Sequence, residues 1–334
     1  MIKQIIIKSE ELRKFGSVQN FNEQAKALVA QQKTTWEMAT KNYKGLNRVQ
    51  TRIFDFGHFK IKTQFNPERI RSSAAKTDAK SIAERPCFLC LKNLPNEQKG
   101  IHFQNNYLVL TNPFPIFPIH LTIPHLEHTP QRIPEFFVDM LWLSRELNDF
   151  TVFYNGPETG ASAPDHFHFQ AGIKGVLPIE DEYEKLKKEH AETLFEDKDL
   201  IVFSIENYLR RVVVIQSKNK EKLIKIFHLL FEQLPSENNA EPLLNILCKF
   251  KNGMWQVMIF PREKQRPSHF YRDDEKQIIV GPASVEMGGL LILPRKEDFE
   301  KITENILSEI FGEVTMKRNN FNFFVEQIKS LLIK

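Results

Sequence analysis

The stretch Asn155 to Gly172, NGPETGASAPDHFHFQAG, constrains the fold more than any other part of the chain. It ends in His166, Phe167, His168, Phe169 and Gln170. Side chains alternate between the two faces of a β-strand. Read as a strand, the run puts His166, His168 and Gln170 on one face, and Phe167 and Phe169 on the other. The apolar face can then bury in a core while the polar face opens to a site. Just upstream, Gly160-Ala161-Ser162-Ala163-Pro164 is a turn of small residues whose backbone could approach a phosphate closely. A polar strand face beside a phosphate-sized turn points to phosphoryl or nucleotidyl transfer through a histidine nucleophile. An isolated HxHxQ also fits an exposed polar face or a metal site without catalysis. The small-residue turn, the upstream Asn155 and a CxxC elsewhere weigh towards chemistry.

The 334 residues make one large domain or two of ordinary size. No apolar run approaches the roughly 20 residues that span a bilayer, so no membrane partner is expected. The N-terminal MIKQIIIKSEELRKF lacks the long apolar region and cleavage site of a signal peptide, and a cytoplasmic location is the expectation. A net charge of +4 is too weak to argue for nucleic acid. It suits a polyanionic small molecule held in a local basic pocket. Three cysteines do not make a disulfide framework. Cys248 falls in an expected strand and reads as a buried, inert thiol.

Along the chain, residues 20–44 read as a helix and TRIFDF and HFKIKTQF as strands split by Gly57. Asn66 to Lys80 reads as a polar, basic loop. Strands are expected at Tyr107 to Thr111 and Ile119 to Pro124, a helix at Pro134 to Phe150, and a strand at Thr151 to Tyr154 before the turn and HFHFQ. The second half repeats this order. Strands at Leu200 to Ile205 and Arg211 to Gln216 precede a helix at Lys220 to Leu234. Strands at Leu243 to Phe250 and Trp255 to Phe260 then flank Lys251-Asn252-Gly253. WQVMIFPR stands where HFHFQ stood and has no histidine pair, so one active site per chain is expected. The tail adds strands at Gln277 to Val280 and Leu290 to Leu293, and helices at Glu297 to Phe311 and Phe321 to Ile333. Glu180 to Lys198 reads as a surface helix or a linker between the halves.

The histidine run resembles the active-site segment of the histidine-triad superfamily. HxHxQ rather than HxHxH is similar to its transferase branch, which includes galactose-1-phosphate uridylyltransferase, diadenosine tetraphosphate phosphorylase (an ATP adenylyltransferase) and GDP-L-galactose phosphorylase. CFLC at Cys87, HLTIP at His120 to Pro124, the NG…GAS turn and PASVEMGGLLILPRKEDFEKI add to the resemblance, which extends from about residue 60. It implies an α+β fold of two histidine-triad-like halves, each an antiparallel sheet with packed helices. The expected division is 1–50 as a helical extension, 51–178 as the half with the active site, and 179–334 as a degenerate half. The implied activity is that of a nucleotidyltransferase or phosphorylase. Its substrate would be a dinucleoside polyphosphate or a nucleotide sugar, and its acceptor phosphate or a sugar phosphate. A nucleotide hydrolase and a zinc-stabilised nucleotide-binding protein without turnover are the alternatives. A homodimer is compatible with the resemblance.

The expected catalytic set is His168, His166 and Gln170. By the resemblance His168 is the nucleophile, forming a nucleotidyl-histidine. Gln170 can donate hydrogen bonds to phosphate oxygens. Its amide cannot shuttle a proton near neutral pH, which favours a leaving group that needs none, such as a phosphate or sugar phosphate. Gly160, Ser162 and nearby amides would hold oxygens of the transferring group, and Asn155 the loop or a ribose. Arg69 and Arg266 are singled out for phosphate contact from two basic clusters: Arg69, Arg71 and Lys76, and Arg262, Lys264, Arg266 and His269.

Cys87 and Cys90 are open to three readings: redox pair, zinc half-site or plain packing. The resemblance implies structural zinc completed by His128 and His166, with His125 competing for the place of His128. His120, inside an apolar strand, reads as a core histidine.

Overall fold

Two runs of strands with the same order meet edge to edge in one sheet. The computed structural model describes residues 5–70, 79–236 and 240–333. In its first half, β1 (Gln50–Asp55) and β2 (Lys60–Phe65) are followed by β3 (Gly100–Phe103), β4 (Tyr107–Thr111), β5 (His120–Pro124), β6 (Phe150–Asn155) and β7 (His168–Ile173). The second half contributes β8 (Glu192–Glu196), β9 (Leu200–Ile205), β10 (Val212–Ser217), β11 (Leu244–Lys251), β12 (Met254–Pro261) and β13 (Leu290–Leu293). Ten of these form a sheet in the order β3-β4-β5-β7-β6-β11-β12-β10-β9-β8. Read inward from its two edges, each half runs first, second, third, fifth, fourth. Each also carries a helix between its third and fourth strands, Phe137–Glu146 and Lys220–Glu232. The halves join where β6 pairs antiparallel with β11, with Asn155 opposite Asn245. Separate sheets would leave two unpaired inner edges, and pairing them removes that liability.

Period-two alternation sends the two faces of this sheet into different cores. Phe150, Val152 and Tyr154 of β6 pack with Phe169, Ala171 and the helix residues Phe137 and Met140. Phe153, Leu247 and Met258 point the other way, into a cluster with Ile61 and Leu290 to Leu293. Ile61 and Leu290 to Leu293 belong to the small sheet β1-β2-β13, in which β13 of the second half runs parallel to β2 of the first. This small sheet, built from both halves, packs over the sheet face that holds the site.

The chain departs from its local reading in several places. The expected helix 20–44 is two helices, Phe21–Thr35 and Glu37–Gly45, broken at Trp36, which is extended and buried. Thr34 and Thr35 both turn their hydroxyls back to the Gln31 carbonyl, competing with the backbone ladder. No strand forms at Gln277 to Val280. There the Ile278 amide donates to the His269 carbonyl and the Ile279 amide to the Asp298 carboxylate. The expected helix Glu297 to Phe311 divides into Lys296–Lys301 and Glu304–Val314, the latter capped by Thr303. Glu180 to Lys198 is no linker: it forms the helix Pro178–His190, with Tyr183 and Leu186 buried, and then β8. In the basic loop Pro67–Arg69 makes a 3-10 turn and Ala79–Ala83 a short helix, while Arg71 and Lys76 lie outside the described residues.

Candidate active site and metal centre

β7 begins at His168, not at His166 as the alternation suggested. The His166 amide is still bonded to the Ala163 carbonyl (3.1 Å) and the Phe167 amide to that of Thr129 (2.6 Å), so neither has joined the ladder. Phe167 nevertheless buries, stacked on Phe136 with ring centroids 4.0 Å apart. His168 and Gln170 open on a cavity of about 600 Å³. Asn155, Gly160 and Ser162 line the same cavity, as do Arg69 and Arg266 from the two basic segments. His166 turns away from it to the two cysteines, so the three polar side chains of the motif do not share one site.

The ring of His168 is held in one tautomer. Nδ1 lies 2.8 Å from the His166 carbonyl, which can only accept, so Nδ1 carries the proton and Nε2 keeps its lone pair. Burial lowers its pKa from 6.5 to about 4, so the ring is neutral at neutral pH. Gln131, which the sequence reading missed, clamps the backbone around it. Its Oε1 accepts from the His168 amide (2.8 Å), and its Nε2 donates to the carbonyls of His168 and Asn155 (both 3.0 Å).

The orientation of Gln170 follows from its neighbours. His120 Nδ1 accepts from the Ile116 amide (3.2 Å), which leaves the ring proton on Nε2. That Nε2–H donates to Gln170 Oε1 (3.1 Å), and Asn112 Nδ2 donates to the same oxygen (3.3 Å). With its oxygen occupied twice, Gln170 is left with its NH2 as the group to offer a ligand. His120 is buried as expected, but it also sets this amide. Burial, helped by nearby Arg69, lowers its pKa from 6.5 to about 3.

The small-residue turn needs its glycine. Gly160 sits at φ +110, and a Cβ there would lie 2.5 Å from that of Ala283. Asn155 Oδ1 accepts from Asn245 Nδ2 (3.1 Å) and the Ser284 amide (2.8 Å), so this oxygen serves the protein. Arg85, also missed, donates to the Ser162 carbonyl (2.8 Å) and lines the cavity, with its guanidinium 4.8 Å over the ring of Phe88. Its only sequence signal is a cation directly before the CxxC segment. Arg69 donates to the Phe114 carbonyl (2.8 Å), and burial lowers its pKa to about 10, leaving it charged at neutral pH. Arg266 stands 4.0 Å over the ring of Phe270. Of its basic cluster, Lys264 pairs with Glu313, His269 lies 3.2 Å from Glu309, and Arg262 is buried within the fold.

Cys87, Cys90, His128 and His166 bring their ligand atoms within 4.8 Å of one another. His166 Nδ1 lies 3.3 and 3.6 Å from the two sulfurs, and His128 Nδ1 lies 3.2 Å from that of Cys90. Zinc bonds of about 2.0–2.3 Å at tetrahedral angles put ligand atoms roughly 3.5 Å apart, so the cluster could hold a metal ion of this kind. His166 Nε2–H donates to the His125 carbonyl (2.7 Å), which leaves Nδ1 for the metal. His128 rather than His125 stands in the cluster. His125 is excluded because its Nδ1 accepts from the Glu127 amide (3.1 Å). Cys248 is buried and bonded to Ser144, in line with an inert thiol.

A histidine whose Nε2 keeps its lone pair thus stands at the start of β7 beside a turn of small residues, in a sheet whose two halves repeat one strand order. Residues 183–334 match the family model described as GDPGP1-like, C-terminal domain. Residues 28–173 match a model described as a domain of unknown function, DUF4922. No curated protein sequence matches. Yeast Ap4A phosphorylase Apa2 in complex with Ap4A superposes with a TM-score of 0.56 at 14% identity, over 84% of this chain and 97% of that one. Its complex with AMP gives 0.53 at 16% identity, over 84% and 96%. At such identities the likeness is one of fold, and the fold is that of Ap4A phosphorylase. A uridylyltransferase structure aligns at 0.38 and 14% identity, over 75% and 90% of the two chains, a likeness too distant to support a conclusion. Among the described residues no helix is long and apolar enough to cross a membrane.

Proposed function

We propose that the protein is a nucleotidyltransferase of the phosphorylase type, acting on a dinucleoside polyphosphate or a nucleotide sugar. The observation that carries this reading is the His168 ring, neutral and with its Nε2 lone pair available, on a cavity of nucleotide size beside the Gln170 amide on the same strand face. Nε2 attacks the α-phosphorus, forming a P–N bond as the P–O bond to the leaving phosphate or sugar phosphate breaks. The positive charge that develops on the imidazole is stabilised by the His166 carbonyl on Nδ1–H. Gln170 NH2 and the turn amides around Ser162 donate to the phosphoryl oxygens, where charge builds. Arg69 and Arg266 neutralise the remaining phosphates. Phosphate or a sugar phosphate then attacks the same phosphorus, the P–N bond breaks, and His168 is restored. Yeast Ap4A phosphorylase, which shares the fold, has been seen with Ap4A and with AMP, and this supports a nucleotide in the cavity.

In this reading, residues 51–178 form the half that carries the nucleophile, 179–334 the half without one, and 1–50 a helical extension. Zinc is the ion we assign to the Cys87, Cys90, His128 and His166 cluster, where it would pin the segment that leads into β7. A reducing compartment, the cytoplasm, suits these free thiols. The test is a panel of dinucleoside polyphosphates and nucleotide sugars incubated with and without phosphate and read by mass spectrometry. A nucleotide adduct on His168 that phosphate discharges is expected. Turnover that survives His168→Ala, with no adduct on the wild type, would refute the mechanism.

A further inference from the structure

The second half carries no nucleophile, yet one of its arginines bonds the backbone of one cavity wall and, through Asn245, reaches the other. Arg262 follows the last residue of β12, the strand that stands where β7 stands in the first half. It is 3% exposed. Its guanidinium spends all three nitrogens inside the fold. Nε donates to the Val314 carbonyl (2.9 Å), and Nη2 to the carbonyls of Lys264 (3.1 Å) and Gln265 (3.2 Å). Nη1 donates to Asn245 Oδ1.

Each of the last two connections leads to the cavity. Asn245, also buried, donates from Nδ2 to Asn155 Oδ1 (3.1 Å) and to the Thr159 carbonyl (2.8 Å). These two residues begin the turn that contains Gly160 and Ser162. On the other side, the Lys264 and Gln265 carbonyls belong to the segment whose Gln265 and Arg266 line the cavity. A planar fork with fixed N–H directions thus bonds one wall directly and the small-residue turn through Asn245. A lysine ammonium has neither the reach nor the number of fixed donors to do the same. The His168 ring is held by the His166 carbonyl, and Gln131, which holds its backbone, also donates to the Asn155 carbonyl.

We propose that Arg262 is a positioning residue for the nucleotide: through Asn245 and the Gln265 carbonyl it sets the spacing of the two cavity walls. The half without a nucleophile thereby determines how tightly the nucleotide is held. The proposal rests on the reading of the cavity as a nucleotide site.

The test uses the zinc-loaded full chain and two variants, Arg262→Lys and Asn245→Asp. The second keeps an acceptor for Arg262 and replaces the donor to the turn with a carboxylate oxygen that repels the Asn155 and Thr159 oxygens. AMP, GMP and UMP are the calorimetric probes. For whichever of them binds the wild type, both variants should weaken Kd at least tenfold. Discharge of a His168 adduct by phosphate should slow as well, because the turn amides around Ser162 hold the phosphoryl oxygens in that step. Hydrogen exchange should quicken in residues 156–163 in both variants, and in 264–266 only in Arg262→Lys. The double variant should weaken binding by less than the product of the two single effects, since both cut one connection. A lowered melting temperature with unchanged Kd in the folded variants would make Arg262 merely structural and overturn the proposal. If Arg262→Lys does not fold, Asn245→Asp alone decides by the same readings. A wild type that binds none of the three nucleotides and forms no adduct would overturn the functional reading, and this proposal with it. Binding by the wild type with unaltered affinity in both variants overturns the proposal alone.

Discussion

Replacing His120 tests whether Gln170 acts through an oriented amide. The imidazole Nε2–H supplies the shorter of the two bonds to Gln170 Oε1, 3.1 Å against 3.3 Å from Asn112. His120→Leu removes that donor and leaves the Ile116 amide without its acceptor. Losing one partner in a buried network costs about 1–3 kcal/mol of stability. It also removes about 1 kcal/mol of preference for the orientation that presents NH2 to the phosphate. At about 1.4 kcal/mol per factor of ten, a loss of about fivefold in the rate of adduct formation follows. His120→Gln keeps a side-chain donor near the same position and should recover most of that rate. The assay is single-turnover labelling of His168, normalised to folded protein by calorimetry. Adduct formation at the wild-type rate in folded His120→Leu would refute the reasoning. So would a glutamine variant as slow as the leucine one. The pH dependence gives a second check. The fold holds His120 neutral down to about pH 3 by burial, whereas the unfolded chain protonates it near 6.5. Its contribution is therefore fully present above about pH 6.5. It falls by up to roughly 4–5 kcal/mol as the pH drops to 3, because the unfolded state alone takes up the proton. In His120→Leu the acid slope of stability should be shallower over that window, as followed by chemical denaturation at a series of pH values.

Three further outcomes are expected. Protein purified without added metal should contain about one zinc per chain, and Cys90→Ser should lower both that content and the melting temperature. Metal-free wild type with an unaltered melting temperature would defeat the zinc assignment. Gly160→Ala should destabilise by about 1–3 kcal/mol, from the left-handed backbone and the contact with Ala283, and should weaken nucleotide binding. A variant whose denaturation midpoint and Kd both match the wild type would show that the turn tolerates a side chain. Gln131→Ala loses three buried hydrogen bonds. It should slow adduct formation at least tenfold, and equal single-turnover rates would remove Gln131 from the site.

Much of the site can be read locally. The HFHFQ alternation, the Gly160 turn and the CxxC spacing depend on residues a few positions apart, where backbone geometry alone decides which side chains can meet. The strand order was legible in outline for the same reason, since each strand carries its own period. The same alternation misled at His166, because it assumes a ladder and the chain had not yet joined one. The helix at 20–44 and the strand at 277–280 failed similarly: hydroxyls of Thr34 and Thr35, and the carboxylate of Asp298, took backbone partners that propensity does not count.

What the sequence by itself determined is therefore a set of local groupings: a histidine and a glutamine two positions apart on a strand, a turn of small residues, and thiols three positions apart. Only the tertiary structure decided which other groups serve them. The choice of His128 over His125 and the wiring of His120 to Gln170 are products of packing. So are the placing of Arg85 beside Ser162 and the link from Arg262 through Asn245 to Asn155. The last depends on how β6 pairs with β11, and all depend on which polar groups are buried together. A buried donor or acceptor must find a partner wherever the fold puts one. Such partners lie tens to more than a hundred residues away, beyond any local pattern.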